Sequence, residues 1–467
     1  MNKDPHSSIT TRRGLLTGAA TLIGGGALLH KARADDKNMH GGHGGHAEHA
    51  LHGSGAVKMT AAPKAAVSTG KTEPLHPDGI TYRPVITLNG KTLPWKRVDG
   101  VKVYHLIAEP VTHEFAPGLV AECWGYNGRV HGPTIEAVEG DSVRIYVTNK
   151  LEAATTVHWH GVLLPSGMDG VGGVSQKAIQ PGETFKYEFT FKQHGTLMYH
   201  SHHDEMTQMQ LGMMGLIIIH PKEPEPNPPD RDYAFMLSEW KIDVGARRPD
   251  PNEMTDMNVF TFNGRCFPGT EAMLAKKGDK VRIRIGNLST MSHHAIHLHG
   301  SIFTVTATDG GQIPEAGQWP EITVHVPTGS SRTVEFIANE PGDWVMHCHM
   351  LHHVMTQMGH RFGNIIGINT GGLNKKISKL VPGYMTMGEA GMGDMGEMGM
   401  AVPPNSLPMV GGPGKYDYIT MGGMFTMLKV RETLPADGSD PGWYECPPGT
   451  LATIAPEADL KRDGITL

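Results

Sequence analysis

Residues 140–145 read Gly-Asp-Ser-Val-Arg-Ile, and residues 278–283 read Gly-Asp-Lys-Val-Arg-Ile. In both stretches, and in the residues that follow them, β-branched side chains alternate with polar ones. This two-residue period is typical of a strand that buries one face. Because the same pattern recurs far along the chain, the sequence predicts two homologous domains.

Clusters of glycine, proline and asparagine punctuate both repeats at short intervals. Such spacing predicts an all-β fold made of Greek-key sandwiches or barrels. We expect a first domain at residues 77–222 and a second at residues 232–370, joined by the proline-rich residues 223–231 as a stiff linker. Residues 371–467 then form a C-terminal extension in which many methionines lie among glycines.

The composition excludes several classes of protein. A formal net charge of −6 over 467 residues argues against nucleic-acid binding, which needs an excess of lysine and arginine. Four cysteines are too few for a fold built on disulfides or for a multi-cysteine iron–sulfur protein. Histidine and methionine are abundant at 28 each, and both side chains bind soft or borderline metals.

The first 34 residues resemble an export signal. Arg12 and Arg13 precede a weakly apolar stretch, and residues 32–34 (Ala-Arg-Ala) offer a cleavage site, which predicts twin-arginine export to the periplasm of a protein without a membrane span. Residues 35–76 lack core-forming side chains, so we expect disorder there. This segment is either a solvated linker or a weak site for divalent metal ions, because histidine recurs at every third position. The histidines are His40, His43, His46, His49 and His52.

Histidines also occur in four pairs at i and i+2, at equivalent positions of the two repeats. On a strand, residues i and i+2 point to the same side, so each pair presents two imidazoles together. Eight imidazoles exceed the four ligands of a single structural zinc and indicate a multinuclear metal centre. The pairs are His158/His160, His200/His202, His297/His299 and His347/His349.

Cys348 lies between the histidines of the fourth pair and therefore points to the opposite face of its strand. His294 precedes the third pair, while His353 and Met358 follow Cys348. Two histidines, one cysteine and a weak axial methionine form the ligand set of blue-copper electron-transfer sites. One strand would then connect this site to the multinuclear centre through covalent bonds.

Together these motifs resemble the multicopper oxidases, and the spacing resembles their two-domain, small-laccase type. The resemblance implies tandem cupredoxin domains and four coppers, which take single electrons from a substrate and reduce O2 to water. It implies His294, Cys348, His353 and Met358 as ligands of the type 1 copper. It implies His158 and His297 at the type 2 copper. The type 3 pair would then bind His160, His200, His202, His299, His347 and His349.

The first domain is predicted to lack a type 1 site, because Ser201 stands where a cysteine would be needed. This distinguishes the chain from copper nitrite reductases, a remote alternative. In two-domain relatives the first domain of one subunit meets the second domain of the next. The resemblance therefore implies a homotrimer with the oxygen-reducing cluster between subunits, a heterologous interface that closes a ring.

Proton supply requires an acid near the cluster, because O2 reduction consumes four protons. Asp169 follows His160 as a family acid does, although an aspartate before Gly170 is also a common turn residue. His203, Asp204 and Glu205 are either groups that support the cluster or ordinary surface charges.

The reducing substrate remains open at this stage. Thioethers favour Cu(I), and the methionine-rich and histidine-rich segments resemble those of copper-tolerance oxidases, which oxidise Cu(I). A laccase acting on phenols and aromatic amines is the alternative, and a copper-sequestering protein without catalysis is a remote one. The sequence also leaves open which of Cys123, Cys266 and Cys446 pair.

Overall fold

The computed structural model describes residues 82–357, 379–380, 405, 407 and 411–466. The predicted signal, the histidine-rich segment, Met358 and most of the methionine-rich stretch lie outside the described residues. The described chain folds into two β-sandwich domains, as the repeat predicts. Within it, no helix has the length and apolar character needed to cross a membrane.

The first domain consists of two facing sheets and one short helix. One sheet has the order β1-β2-β5-β7, with β3 added to β2, and the other has the order β4-β9-β8-β6. Helix α1, Glu205–Gln210, connects β8 to β9. The strands are β1 Trp95–Val98, β2 Val101–Ala116, β3 Leu119–Tyr126, β4 Ile135–Val138, β5 Ser142–Asn149, β6 His158–His160, β7 Thr184–Thr190, β8 Gly195–His200 and β9 Met214–His220.

The second domain repeats this plan. Its sheets have the orders β11-β10-β13-β19-β15-β16, with β17 added to β15, and β12-β23-β20-β14-β18. A small ribbon, β21 Gly412–Pro413 with β22 Tyr418–Ile419, and helix α2, Glu457–Arg462, complete it. The sheet strands are β10 Arg231–Trp240, β11 Val259–Phe262, β12 Met273–Lys276, β13 Lys280–Asn287, β14 His294–Leu298, β15 Phe303–Thr308, β16 Gly311–Gln312, β17 Trp319–Glu321, β18 Thr323–Val326, β19 Ser330–Ile337, β20 Gly342–Cys348 and β23 Phe425–Arg431.

Strand β23 is an integral part of the second domain. It pairs antiparallel with β20 and parallel with β12, just as β9 pairs with β8 and β4 in the first domain. The predicted boundary at residue 370 therefore leaves out a strand that the second sheet contains. The methionine-rich stretch is an insertion between two strands of one domain, because β9 follows β8 closely whereas β23 follows β20 only after that stretch.

The predicted alternation is observed in β5 but not in β13. In β5 every second side chain is buried, whereas in β13 Arg282 and Arg284 are buried as well. Their charges are compensated, since Arg282 forms two hydrogen bonds with Glu225 and Arg284 forms two with Asp232. Glu225 belongs to the proline-rich linker, which this ion pair anchors to the second domain.

Two apolar clusters lie between the domains of one chain. One packs Met198 and Leu216 of the first domain against Ala234 and Met236 of the second. The other contains Cys123 and Cys266, which are buried and unpaired; among the described residues no cysteine forms a disulfide. The junction is thus apolar and well covered, and β8, which carries His200, contacts β13 and β19 across it.

Candidate metal centres

The predicted blue-copper ligands meet inside the second domain. His294 begins β14, Cys348 ends β20, and His353 lies in the 3₁₀ turn Leu351–Val354; all three are buried. The two Nδ1 atoms are 3.1 Å apart, and Cys348 Sγ is 3.7 Å from that of His294 and 3.4 Å from that of His353. A point equidistant from the three atoms lies about 2 Å from each, which is an ordinary bond length from imidazole to a metal ion.

Burial of this His₂Cys set disfavours both protonated imidazoles and a thiolate, unless a cation compensates the thiolate. Burial lowers the pKa of His353 to about 4 and that of His294 well below its usual value, so both imidazoles are neutral and able to bind metal. Burial raises the pKa of Cys348 to about 11, so the thiolate needs a compensating cation. The donor set therefore fits copper, and Met358 follows directly after the last described residue of this loop.

The three ligands are held in place by neighbours that the sequence does not indicate. Ser289 Oγ lies 2.7 Å from His294 Nε2, and Phe260 stacks on His353 with ring centroids 4.0 Å apart. Main-chain bonds from the segment before β23 add to this, because the Cys348 N–H donates to Met424 O and the Met424 N–H donates to His353 O. No local motif predicts such contacts.

The first two histidine pairs form one cluster in the first domain. His158 contacts His160, His200 and His202 with ring centroids 5.3–5.7 Å apart. The His200 Nδ1–H donates to Ser201 O at 2.8 Å, and the His160 Nε2–H donates to Gly329 O of the second domain at 2.9 Å. The nitrogens left without protons, His160 Nδ1 and His200 Nε2, face each other at 3.3 Å. Two lone pairs at this distance repel each other, and a cation bound to both nitrogens would remove the repulsion.

The other two pairs form the equivalent cluster in the second domain. His297 contacts His299, His347 and His349 with centroids 4.8–5.7 Å apart, and His299 Nε2 lies 3.3 Å from His347 Nε2. Among the described residues, no ring contact joins this cluster to that of the first domain. Each domain of one chain therefore gathers four of the eight imidazoles.

Carbonyl groups fix the orientation of most of these rings. The His158 Nδ1–H donates to Asp169 O, and the His297 Nδ1–H donates to Ile322 O, so each presents Nε2. The Asp169 carboxylate is itself 3.4 Å from His158 Nδ1, which places the predicted acid beside the cluster. The sequence did not decide whether His203, Asp204 and Glu205 support the cluster. The structure brings Glu205 to a cluster histidine, because its carboxylate lies 2.9 Å from His202 Nε2.

Two family models described as multicopper oxidase match residues 108–224 and 243–365, together more than half of the chain. The chain belongs to the multicopper oxidase family. This family holds copper at type 1, type 2 and type 3 sites, and the histidine and cysteine clusters described above suit that cofactor.

Relatives of this multicopper oxidase include copper-resistance proteins and laccases. Copper resistance protein A of Escherichia coli is 29% identical over 363 residues, which cover 67% of this chain and 55% of that protein. Laccase-19 of Oryza sativa subsp. japonica is 30% identical over 244 residues, or 48% of this chain and 40% of that protein. The chain thus spans about half the length of the curated relatives it matches.

Solved structures support the fold. The blue copper oxidase from Nitrosomonas europaea aligns with a TM-score of 0.53 at 26% identity, covering 70% of this chain and 85% of that one. The multicopper oxidase mgLAC aligns with a TM-score of 0.53 at 28% identity, covering 71% and 87%. The prediction of an all-β protein with two cupredoxin-like domains is confirmed.

Proposed function

We propose that this multicopper oxidase couples four one-electron oxidations of a substrate to the reduction of O2 to two waters. The arrangement around Cys348 is the observation that carries this proposal. Its sulfur belongs to the buried His₂Cys set, whereas the neighbouring His347 and His349 belong to the imidazole cluster on the other face of the strand. Bound copper would supply the one-electron redox chemistry at both places, and the backbone of residues 347–349 gives electrons a short covalent route.

The ligand roles that we propose are those implied by the resemblance to multicopper oxidases. His294, Cys348, His353 and Met358 would hold the type 1 copper, and His158 and His297 the type 2 copper. Asp169 would deliver protons, since its carboxylate lies at the edge of the first-domain cluster. The type 3 pair would be held by His160, His200, His202, His299, His347 and His349.

We also propose that the oxygen-reducing cluster forms between copies of the chain, in a homotrimer. Each domain gathers four of the eight imidazoles, and among the described residues no ring contact joins the two clusters, which supports completion of the set by a second copy. Leu163 and Ile302 stand at equivalent positions after the His-x-His pairs and are 60% and 72% exposed, which suits burial between subunits. Changing Ile302 to Arg should yield a monomer that keeps its type 1 colour but loses O2 uptake. Full activity in a monomeric wild-type protein, judged by light scattering, would contradict the trimer.

The substrate that the protein surface favours is Cu(I). Gln210 joins three segments that carry methionines. It lies on α1 together with Met206. Its Nε2–H donates to Met257 Sδ at 3.4 Å, and its Oε1 accepts from the hydroxyl of Thr290 at 2.8 Å. Met206, Met254 and Met291 on these segments are exposed. We call Met206, Met254, Met257 and Met291 the methionine patch. Its thioethers are soft donors that suit Cu(I), and residues 289–292 lead directly to the type 1 ligand His294.

A buried carboxylate lies behind the methionine patch. Glu239 is 2% exposed, and its Oε1 accepts hydrogen bonds from the main-chain N–H groups of Met291 and Ser292. Within the described part of the chain, its Oε2 has no hydrogen-bond partner. A free, buried carboxylate oxygen beside sulfur donors adds negative charge where a cationic substrate would approach.

The deciding experiment is steady-state O2 consumption by the copper-loaded protein with Cu(I) or a simple methoxyphenol as reductant. Cys348→Ser serves as the inactive control. Cu(I) should be turned over at much lower concentration than the phenol, and Met257→Leu should raise the KM for Cu(I) alone. If the phenol is preferred and Met257→Leu leaves Cu(I) oxidation unchanged, the protein is better described as a laccase, which its identity to plant laccases would favour.

The methionine-rich insertion would add to Cu(I) capture. Because β23 belongs to the second sheet, removing everything from residue 380 to 430 would destroy the domain. Replacing residues 381–404 with a glycine–serine linker of equal length keeps β23 in place. We expect this variant to oxidise Cu(I) more slowly while phenol oxidation stays intact; equal losses of both would contradict the idea.

We propose that the protein is exported to the periplasm through its Arg12-Arg13 motif. The support is in the sequence, where the arginine pair precedes an apolar stretch and a cleavage site. Replacing both arginines with lysine should retain the protein in the cytoplasmic fraction, whereas unchanged periplasmic recovery would exclude this route.

A further inference from the structure

The first domain contains a counterpart of the type 1 site without its chemistry. Thr155 lies three residues before His158, as His294 lies three residues before His297. Ser201 lies between His200 and His202, as Cys348 lies between His347 and His349. Thr155 and Ser201 meet, with their hydroxyl oxygens 3.4 Å apart, and both are fully buried.

Gln208 completes this counterpart. The hydroxyl of Thr155 donates to Gln208 Oε1 at 2.7 Å, and that of Ser201 donates to the same atom at 2.5 Å. The Gln208 Nε2–H donates to Ala154 O at 2.8 Å, so every polar atom of this fully buried amide is used. We call Thr155, Ser201 and Gln208 the hydrogen-bonded triad.

The triad fastens the two histidine-bearing segments of the first domain to each other. Thr155 leads into β6, which carries His158 and His160, while Ser201 directly follows β8. The main-chain carbonyl of Ser201 also accepts the His200 Nδ1–H at 2.8 Å and so directs Nε2 of His200 into the cluster. A shift of Ser201 would therefore alter both the position and the tautomer of that ring.

We propose that Gln208 is a positioning residue of the oxygen-reducing cluster: by holding Ser201 against Thr155, it pre-forms the first-domain half of the cluster before copper binds. In the second domain the equivalent residues are metal ligands, so copper itself joins the equivalent segments there. This inference rests on the proposed ligand roles of His158, His160 and His200.

The test compares Gln208→Met, which keeps the volume but removes the hydrogen bonds, with the wild-type protein. Gln180→Met, a change at an exposed glutamine, is the matched control. Copper retained after anaerobic dialysis against a graded chelator reports cluster affinity without any turnover. Outer-shell changes weaken metal binding by about 10- to 100-fold. We therefore expect Gln208→Met to lose cluster copper at least about tenfold more readily, while the absorption of the type 1 thiolate stays unchanged.

A second pair of variants guards against misfolding. Thr155→Val removes one hydroxyl at constant shape, and Thr155→Ser keeps it. Thr155→Val should weaken copper retention in the same sense, and Thr155→Ser should restore it. In the apo protein, ¹⁵N shifts should show His200 protonated at Nδ1 in the wild type and as mixed tautomers in Gln208→Met.

The outcomes separate this inference from the proposed function. If Gln208→Met lowers the melting temperature but keeps wild-type copper retention and the wild-type His200 tautomer, the triad is only a structural element and the proposal is overturned. If the copper-loaded wild-type protein consumes no O2 while Gln208→Met still loses copper, the proposed oxidase activity fails and the positioning role stands.

Discussion

At one equivalent position, the two domains fill the buried space with different side chains. In the second domain His294, Cys348 and His353 approach within 3.1–3.7 Å of one another and bring a buried thiol and two uncharged imidazoles together. In the first domain the hydroxyls of Thr155 and Ser201 lie 3.4 Å apart and donate to the same oxygen of Gln208. In the first domain Gln208 joins the two segments, whereas in the second domain the residues at the same point form a donor set that suits a metal ion.

The difference determines where electrons can enter. A hydroxyl and an amide form no redox site, so under the proposed function electrons would enter through the second domain, and the first domain would contribute its imidazoles as copper ligands. The second domain carries both kinds of site on β20. Without a cation, burial keeps the Cys348 thiol protonated and the His353 imidazole neutral.

The largest expected effect comes from making the second domain resemble the first. Cys348→Ser replaces the soft thiolate with a hydroxyl, which cannot hold a type 1 copper. Since outer-shell changes already cost about 10- to 100-fold, loss of this ligand should reduce O2 uptake by more than about 100-fold with every reductant. Visible absorption should lose the intense thiolate band. A blue Cys348→Ser protein would contradict the ligand assignment.

A smaller effect is expected from the segment that supports the type 1 loop. Gly423 has φ +56°, and a β-carbon there would collide with the carbonyl oxygen of His353. Gly423→Ala should lower stability by about 2 kcal/mol or more, from strain and collision together, and should shift the type 1 absorption. Gly442→Ala is the control, because φ is +78° with open space around it. Equal melting temperatures and unchanged colour in both variants would exclude this supporting role.

Removing copper should affect the two domains unequally. Hydrogen exchange of the apo protein should show faster exchange in β14 and β20 than in the copper-loaded form. Exchange in β6 and β8 should change less, because the hydrogen-bonded triad still joins the segments beside them when copper is absent. The measurement is amide exchange by mass spectrometry, peptide by peptide. Equal loss of protection in both pairs would remove the distinction between the domains.

The last prediction concerns a buried histidine away from the metal sites, whose effect appears only as the pH falls. His113 donates from Nε2 to Gly264 O across the domain junction, and burial lowers its pKa to about 4. The folded protein therefore excludes a proton that the unfolded chain binds near pH 6.5. The neutral His113 side chain therefore adds to the free energy of unfolding above pH 6.5. This contribution is lost as the pH falls towards 4, by up to about 3 kcal/mol.

His113→Gln keeps a donor at this position but cannot titrate. Urea unfolding of the apo proteins at pH 7, 6 and 5 should give a shallower decline of the unfolding free energy for His113→Gln. Parallel declines would show that the imidazole already binds a proton in the folded state.

The sequence predicts most of the site because its ligands are encoded locally. A pair such as His158 and His160 needs only a strand to present both rings on one side, and the repeat supplies matching strands in each domain. Cys348 between two histidines likewise defines its own orientation. These features depend on the two-residue period alone, so they are visible without a structure.

Other features depend on contacts between distant segments and have no local signal. Gln208 follows Ser201 by seven residues, whereas His353 follows Cys348 by five, so the repeat does not align them. The burial of Arg282 and Arg284 arises from the domain junction, which the alternation of β13 cannot indicate. Thr155 was detectable, because its position before His158 matches that of His294 before His297.

The placement of β23 has a consequence for how the protein is made. This strand lies in the middle of its sheet, between β12 and β20, yet it is synthesised only after the methionine-rich insertion. While the ribosome is still translating the methionine-rich insertion, β20 has an unpaired edge and the loop with Cys348 lacks the main-chain partners that Met424 provides. The loop with Cys348 and His353 can therefore reach its final geometry only after the ribosome has passed residue 431, and we expect copper acquisition there to follow the synthesis of β23.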